Sequence, residues 1–400
     1  MSSTIAALTS GAGGISMTGD ASGILNLNSN GTTVASVSST GVAVTGTLSS
    51  SNGISVANTF GFKNRIINGA MVIDQRNAGA SVTPTDSQFI TDRFNIRLTQ
   101  ASKLTAQQNA GSVTPPTGFT NYLGVTSASA YSVLSTDNFN IVQIIEGYNI
   151  ADFDFGKSTA KTITLSFQVY SSLTGTFGGA LTNSALSRSY PFTYSIPVAN
   201  TWTSISITIA GDTTGTWLTT NGQGLRVWFG LGVGSSTSGT AGSWSSNYYN
   251  SATGAVSVVG TSGATFYITG VQLEKGSTAT SFDFRAYSTE LAMCQRYLPS
   301  IGTGQDYFTG LSVLTTTAYA TIPFKVSART SPTGITTGTV ASMTITNGNG
   351  GPIALTSITF TLGGTESALI SLIVSTGLTQ GQATLFSPNS QKILFTGCEL

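Results

Sequence analysis

In the run LRVWFGLGV, residues 225–233, Leu225, Val227, Phe229, Leu231 and Val233 fall on one side of an extended chain and Arg226 and Trp228 on the other. Successive side chains of a strand point to opposite faces, so this stretch reads as a strand with one face committed to a core. The alternation recurs at Phe94, Ile96 and Leu98, which leave Arg93, Asn95 and Arg97 opposite. It recurs again at Ile163, Leu165, Phe167 and Val169, at Ile205, Ile207 and Ile209, and in a short strand that puts Met71 and Ile73 on one face. In ATFYITGVQLE, residues 264–274, the apolar parity changes from Phe266 and Ile268 to Val271 and Leu273 across Gly270, which predicts a β-bulge. Such strands, separated by Gly, Ser, Asn and Pro turns over residues 62–286, predict an all-β fold built on an antiparallel jelly-roll sandwich.

Only 8% of the 400 residues are charged and the net charge is +1, so the clustered Lys and Arg that phosphate binding needs are missing and nucleic acid is not an expected partner. With 40% hydrophobic residues, including 20 Phe and 13 Tyr, most of the chain has the material for a core. Apolar runs such as IVQII and ALISLIV are too short to span a bilayer, and the start does not have the pattern of a secretory signal, so no membrane insertion is expected. Cys294 and Cys398 lie far apart and read as free buried thiols, and no metal or other cofactor is expected. There is no His to serve as a triad base or zinc ligand. Asp152 and Asp154 in YNIADFDFGK would share a face if extended, the minimum for paired-carboxylate glycan cleavage. A solvated turn is the reading preferred there, and the chain is not expected to be an enzyme.

Residues 1–61 cycle through thin alternating pieces such as VASV and VAVTGTL, each too slight to bury a core alone, which suits a shaft or attachment arm. ELAMCQRYL, residues 290–298, is the one helical run: Ser288 or Thr289 offers an N-cap, Leu291, Cys294, Tyr297 and Leu298 form an apolar stripe, and Pro299 ends it. Residues 287–299 therefore form a short helical segment that must pack on something. Alternation then resumes at Ile322, Phe324 and Val326 and at Ile358, Phe360 and Leu362, predicting a second, smaller β-sandwich over residues 300–400.

The combination NRIINGAMVIDQRNAG (64–79), DRF (92–94) and GATFYITGVQLEKGSTATSFDFR (263–285), running into ELAMCQRYL, resembles the tail-fibre proteins of tailed bacteriophages. The resemblance implies a carbohydrate-binding-module-like jelly roll, a variable distal β tip and a homotrimer located in the virion. It also implies that residues 1–61 attach to a tail, baseplate or adaptor protein and that the chain adsorbs to host surface polysaccharide. In a trimer the stripe Leu291, Cys294, Tyr297 and Leu298 would meet its copies as a neck on the threefold axis; the alternative is a helix capping its own jelly roll. A glycan-depolymerising tailspike and a purely structural fibre are the alternative functions.

Sugars are bound by flat aromatic faces with amide and hydroxyl groups around them, which needs little charge. Trp228, on the non-core face of its strand, and Trp244, Tyr248 and Tyr249 in the loop GSWSSNYYN are glycan-binding candidates; the alternative is that these aromatics plug the sandwich ends or a subunit interface. In the tip, Asp306, Tyr307 and Phe308 in GQDYFTG and Asn347 and Asn349 in NGNGGP are candidate contact residues.

Overall fold

The computed structural model describes residues 24–29, 32–38, 41–44, 62–302, 304, 306–348 and 350–400. Two compact units, Met1–Thr59 and Phe60–Leu400, divide the chain. In the first, Leu25–Ser29, Thr32–Ser38 and Gly41–Val44 form an antiparallel meander. Its register sets Leu25, Val37 and Val42 in one cross-strand row and Leu27, Ala35 and Val44 in the next. The large residues of both rows are exposed, up to 65% at Val42, so three short strands leave their apolar face open, as their length dictates.

The second unit is built on two antiparallel sheets packed face to face. One joins, in spatial order, Ser189–Ile196, Gly175–Asn183, Gln223–Val233, Asn138–Glu146, Phe94–Leu98 and Gln88–Thr91. The other joins Thr203–Ile209, Ile163–Ser171, Thr265–Lys275, Leu123–Ser127 and Leu104–Gln108. This is the expected jelly-roll sandwich. Leu225, Val227, Phe229 and Leu231 enter its core beside Ile96, Ile141, Phe167 and Val169. The bulge falls where the parity change placed it: the pairing of Thr265–Lys275 with Ile163–Ser171 slips between Thr269 and Gln272. Gly270 sits there at φ +61, and a Cβ would come within 2.6 Å of the Phe119 ring. The slip lets Phe266, Ile268, Val271 and Leu273 all reach the core.

Residues 64–79 form no strand. Asn68 and Met71 take left-handed backbone conformations, and the Asn68 side chain holds both N–H and C=O of Ile73. The chain therefore turns between Met71 and Ile73, sending Met71 into the main core and Ile73 into a separate cluster under the helix. The shared face expected from alternation is corrected by this turn.

Helix α1 spans Tyr287–Gln295 and starts from Ala286, which offers no side-chain cap, so the expected Ser288 or Thr289 cap is displaced into the first turn. Glu290 does the tethering instead: it accepts a hydrogen bond from the Asn68 N–H and faces Arg285 at 3.4 Å. Cys294, Tyr297 and Leu298 are fully buried within their own chain, and Leu291 packs with Cys294 and Tyr297 on Ile67 and Ile73. Most of the stripe is thus buried within its own chain, as a helix capping its own jelly roll would be, while Leu291 keeps part of its surface exposed.

Residues 300–400 form a seven-stranded sheet (Ile353–Ala354, Thr344–Asn347, Ala383–Ser387, Phe308–Ser312, Thr317–Pro323, Ser367–Ile373, Ser357–Gly363) opposite a three-stranded one (Ser300–Ile301, Ile393–Thr396, Gly334–Thr337). Ile322, Ile345, Ile370, Phe386 and Phe395 fill the space between them. This sandwich is joined to the jelly roll within one compact unit. Arg329 donates to the Cys398 carbonyl and, across the junction, to the Asn221 carbonyl. Glu399 pairs with Arg76 at 2.8 Å and with the buried Arg93. Among the described residues no helix is long and apolar enough to cross a membrane.

Candidate functional site

The outer face of the six-stranded sheet carries the residues that alternate against the core. In register, Asn95, Val142, Trp228 and Ala180 form one row. Arg97 and Asn140 flank it on one side, and Ile144, Arg226 and Thr182 on the other. The loop of residues 242–250 is drawn onto this face by a bridge between Ser245 and Ser189. It lays Tyr248 against Trp228 with centroids 6.2 Å apart and ring planes at 65°. Trp228 is anchored below by its indole N–H donating to Thr182 Oγ1 at 2.9 Å, and Asn250 Nδ2 donates to the Tyr248 hydroxyl.

Beside this pair opens a cavity of about 200 Å³ whose walls include Asp86, Arg97, Asn138, Arg226, Trp228 and Tyr248. Trp228 is only 3% exposed, so it backs the wall and Tyr248 presents the accessible ring. Burial pushes the Tyr248 hydroxyl above its ordinary pKa, more than the Arg226 and Arg97 charges lower it, so it stays a neutral donor and acceptor. Burial, reinforced by the charge of Arg97, holds the Arg226 guanidinium below its usual range. Arg97 reaches Asp86 at 3.4 Å, whereas Arg226 donates to Gln223 Oε1 through Nε and Nη2 and makes no ion pair among the described residues. Next to Arg97, the fully buried Asn140 has neither amide atom partnered by protein, and Asn95 Oδ1 is likewise unpartnered. A polar, donor-rich hollow with one aromatic wall can hold a hydroxylated ring.

Of the sequence candidates, the structure brings Trp228 and Tyr248 together. Trp244 goes elsewhere: its indole donates to the Ala210 carbonyl at 2.7 Å, and its ring meets Phe155, Tyr190 and Trp217 as a plug on the main core. Tyr249 lies over Gly239 and accepts from Asn247 Nδ2. In the C-terminal sandwich, Asp306 caps the Gly302 N–H at 2.9 Å, Phe308 turns inward towards Phe386, and Asn347 is buried and donates to the Gly377 carbonyl at 2.7 Å. Only Tyr307, 58% exposed, stands clear there, and Asn349 lies outside the described residues. Arg97, Arg226, Asp86 and Asn138 were not singled out from sequence. The signal for the two arginines was the alternation that put Arg97 and Arg226 opposite the core face; Asp86 and Asn138 come in through loop and strand-end geometry.

Asp152 and Asp154 do not share a strand face. Gly147–Phe153 is a 3₁₀ turn, Asp152 binds Arg65 and Lys275, and Asp154 binds Lys157. Two larger hollows are seams around the helix. The one of about 440 Å³ is walled by Arg65, Arg285 and Arg296, each already facing a carboxylate. The one of about 220 Å³ lies against the mutually packed rings of Phe119, Phe282 and Phe284.

No family model and no curated protein matches the chain. Among solved structures, it is similar to the enzymatically active domain of bacteriophage CBA120 tailspike protein 4, at 13% identity and TM-score 0.31, covering 54% of this chain and 22% of that one. It is also similar to a Clostridium thermocellum family 11 carbohydrate-binding module in complex with a mixed-linked tetrasaccharide, at 11% identity and TM-score 0.26, covering 50% and 98%. A third similarity is to the CBM22-1–GH10 modules of Clostridium thermocellum xylanase 10B complexed with xylohexaose, at 15% identity and TM-score 0.25, covering 48% and 28%. At such low overlap, the assignment of the site rests on this chain's own residues.

Proposed function

We propose that this chain is a glycan-binding adhesion protein, acting as a tail fibre of a tailed phage, and that it binds without cleaving. The observation that carries the reading is the cavity where Tyr248, backed by Trp228, faces Arg97, Arg226 and Asn138. A sugar ring would lie against Tyr248 while the guanidinium and amide donors meet its hydroxyls. Binding without cleavage is favoured because the cavity wall holds one carboxylate, Asp86, where glycoside hydrolysis uses two. Virion attachment through residues 1–61 and a homotrimeric assembly belong to the same proposal. The open apolar rows of the N-terminal meander support self-association, and three copies of a weak site gain avidity. Binding of the labelled full chain to host cells, competed by soluble surface polysaccharide and lost in Tyr248→Ala, tests the reading. Unchanged cell binding by that variant would remove the cavity from it.

A further inference from the structure

We infer that the sugar taken by this cavity is an acidic one, bound through a carboxylate or phosphate substituent by Arg97 and Arg226. The inference rests on the glycan reading and narrows its ligand class. In a chain so poor in charge, two arginines converging on one hollow stand out, because a neutral sugar needs only amides and hydroxyls.

Most arginines elsewhere in the body face a carboxylate: Arg188 faces Asp212, Arg296 Glu146, Arg65 Asp152, Arg285 Glu290, and Arg76 and Arg93 Glu399. Arg329 has no ion pair among the described residues but is held by the backbone carbonyls of Asn221, Cys398 and Glu399. Arg226 differs. It is half-buried on an inner strand of the sheet and answered by a neutral amide, Gln223. Arg97 is only partly answered: Asp86, with its side chain 53% exposed, faces Nη1 at 3.4 Å, and Arg97 Nε is buried without a partner. Two guanidinium charges against one carboxylate leave the hollow net positive. A buried cation lacking a counter-charge is costly to hold, and an incoming anion would relieve that cost. Guanidinium forks match the geometry of carboxylate and phosphate oxygens, which gives direction as well as charge. Tyr248 then supplies the ring contact that separates a charged sugar from a free anion.

The test is binding of the full chain to a glycan array with neutral, carboxylated and phosphorylated members, followed by titration of the best ligand at rising NaCl. Anionic glycans are expected to dominate, with carboxylated and phosphorylated members telling the two sources apart. Arg226→Gln should weaken binding about tenfold or more, with partial rescue in Arg226→Lys. Asp86→Asn, at an exposed position, should tighten binding, and salt should weaken it in the unmodified protein. Binding to neutral glycans alone, or no tightening in Asp86→Asn, overturns the acidic-sugar inference and leaves the glycan reading standing. Failure to bind any glycan overturns both.

Discussion

Arg296, in the turn that ends the helix, holds Glu146 at the end of a jelly-roll strand through two hydrogen bonds of 2.9 and 2.6 Å. Tyr297 adds a third at 2.6 Å, and the Arg93 guanidinium lies 3.6 Å over the Tyr297 ring. The helix is thereby locked to the sheet. Burial alone would raise the Glu146 carboxyl, but these hydrogen bonds outweigh it and hold its pKa below the usual range. Arg296→Ala strands a buried carboxylate and is expected to cost about 3 kcal/mol in urea unfolding. The Glu146 contribution is present above the usual carboxylate pKa and is lost as pH falls through its lowered folded value, so the deficit should shrink in acid.

Asp92 titrates in the opposite sense. Burial lifts it to about 6, against the opposing pull of Arg76 and the Gln75 hydrogen bonds. A folded pKa above the unfolded one means that the native state holds a proton that the unfolded state has released. Stability is therefore expected to fall as pH rises from about 4 to 6, by on the order of 3 kcal/mol from this group. Subtracting the pH profile of Asp92→Asn from that of the unmodified protein should isolate this slope; identical profiles would refute it.

The two aromatics of one loop should part company. Trp244 plugs the main core, so Trp244→Ala is expected to destabilise by about 3 kcal/mol and spare glycan affinity in the fraction that folds. Tyr248→Ala should do the reverse, leaving the thermal midpoint within a few degrees while weakening glycan binding about tenfold or more. Calorimetry beside binding titration separates them, and equal losses in both variants would contradict the assignment.

Assembly should depend on the N-terminal strips and be indifferent to the helix. Sedimentation of the full chain is expected to give three times the chain mass, and Val37→Asp with Val42→Asp should lower it by placing charge in the open apolar row. Leu291→Gln, beside the buried Cys294, should cost about 1 to 2 kcal/mol of stability without changing the mass. A mass of one chain for the unmodified protein would end the trimer proposal.

Much of this architecture follows from local periodicity. LRVWFGLGV became a core strand because a period of two has one solution when one face is apolar, and Gly270 became a bulge because the parity on either side of it demanded a slip. The same period failed at Met71 and Ile73, where the Asn68 side chain supplied backbone hydrogen bonds that a strand would otherwise have needed.

The sequence by itself determined the all-β class, the strand faces, the bulge and the existence of one short helix, since each depends on neighbours a few residues apart. Tertiary structure alone decided what the helix covers, that Trp244 is a plug while Tyr248 walls a cavity, and that Arg97 and Arg226 share that cavity with Asp86. Those outcomes join residues separated by tens to hundreds of positions. Their partners are chosen by which buried charges and rings find each other once the two sheets have closed, and no local pattern encodes that choice.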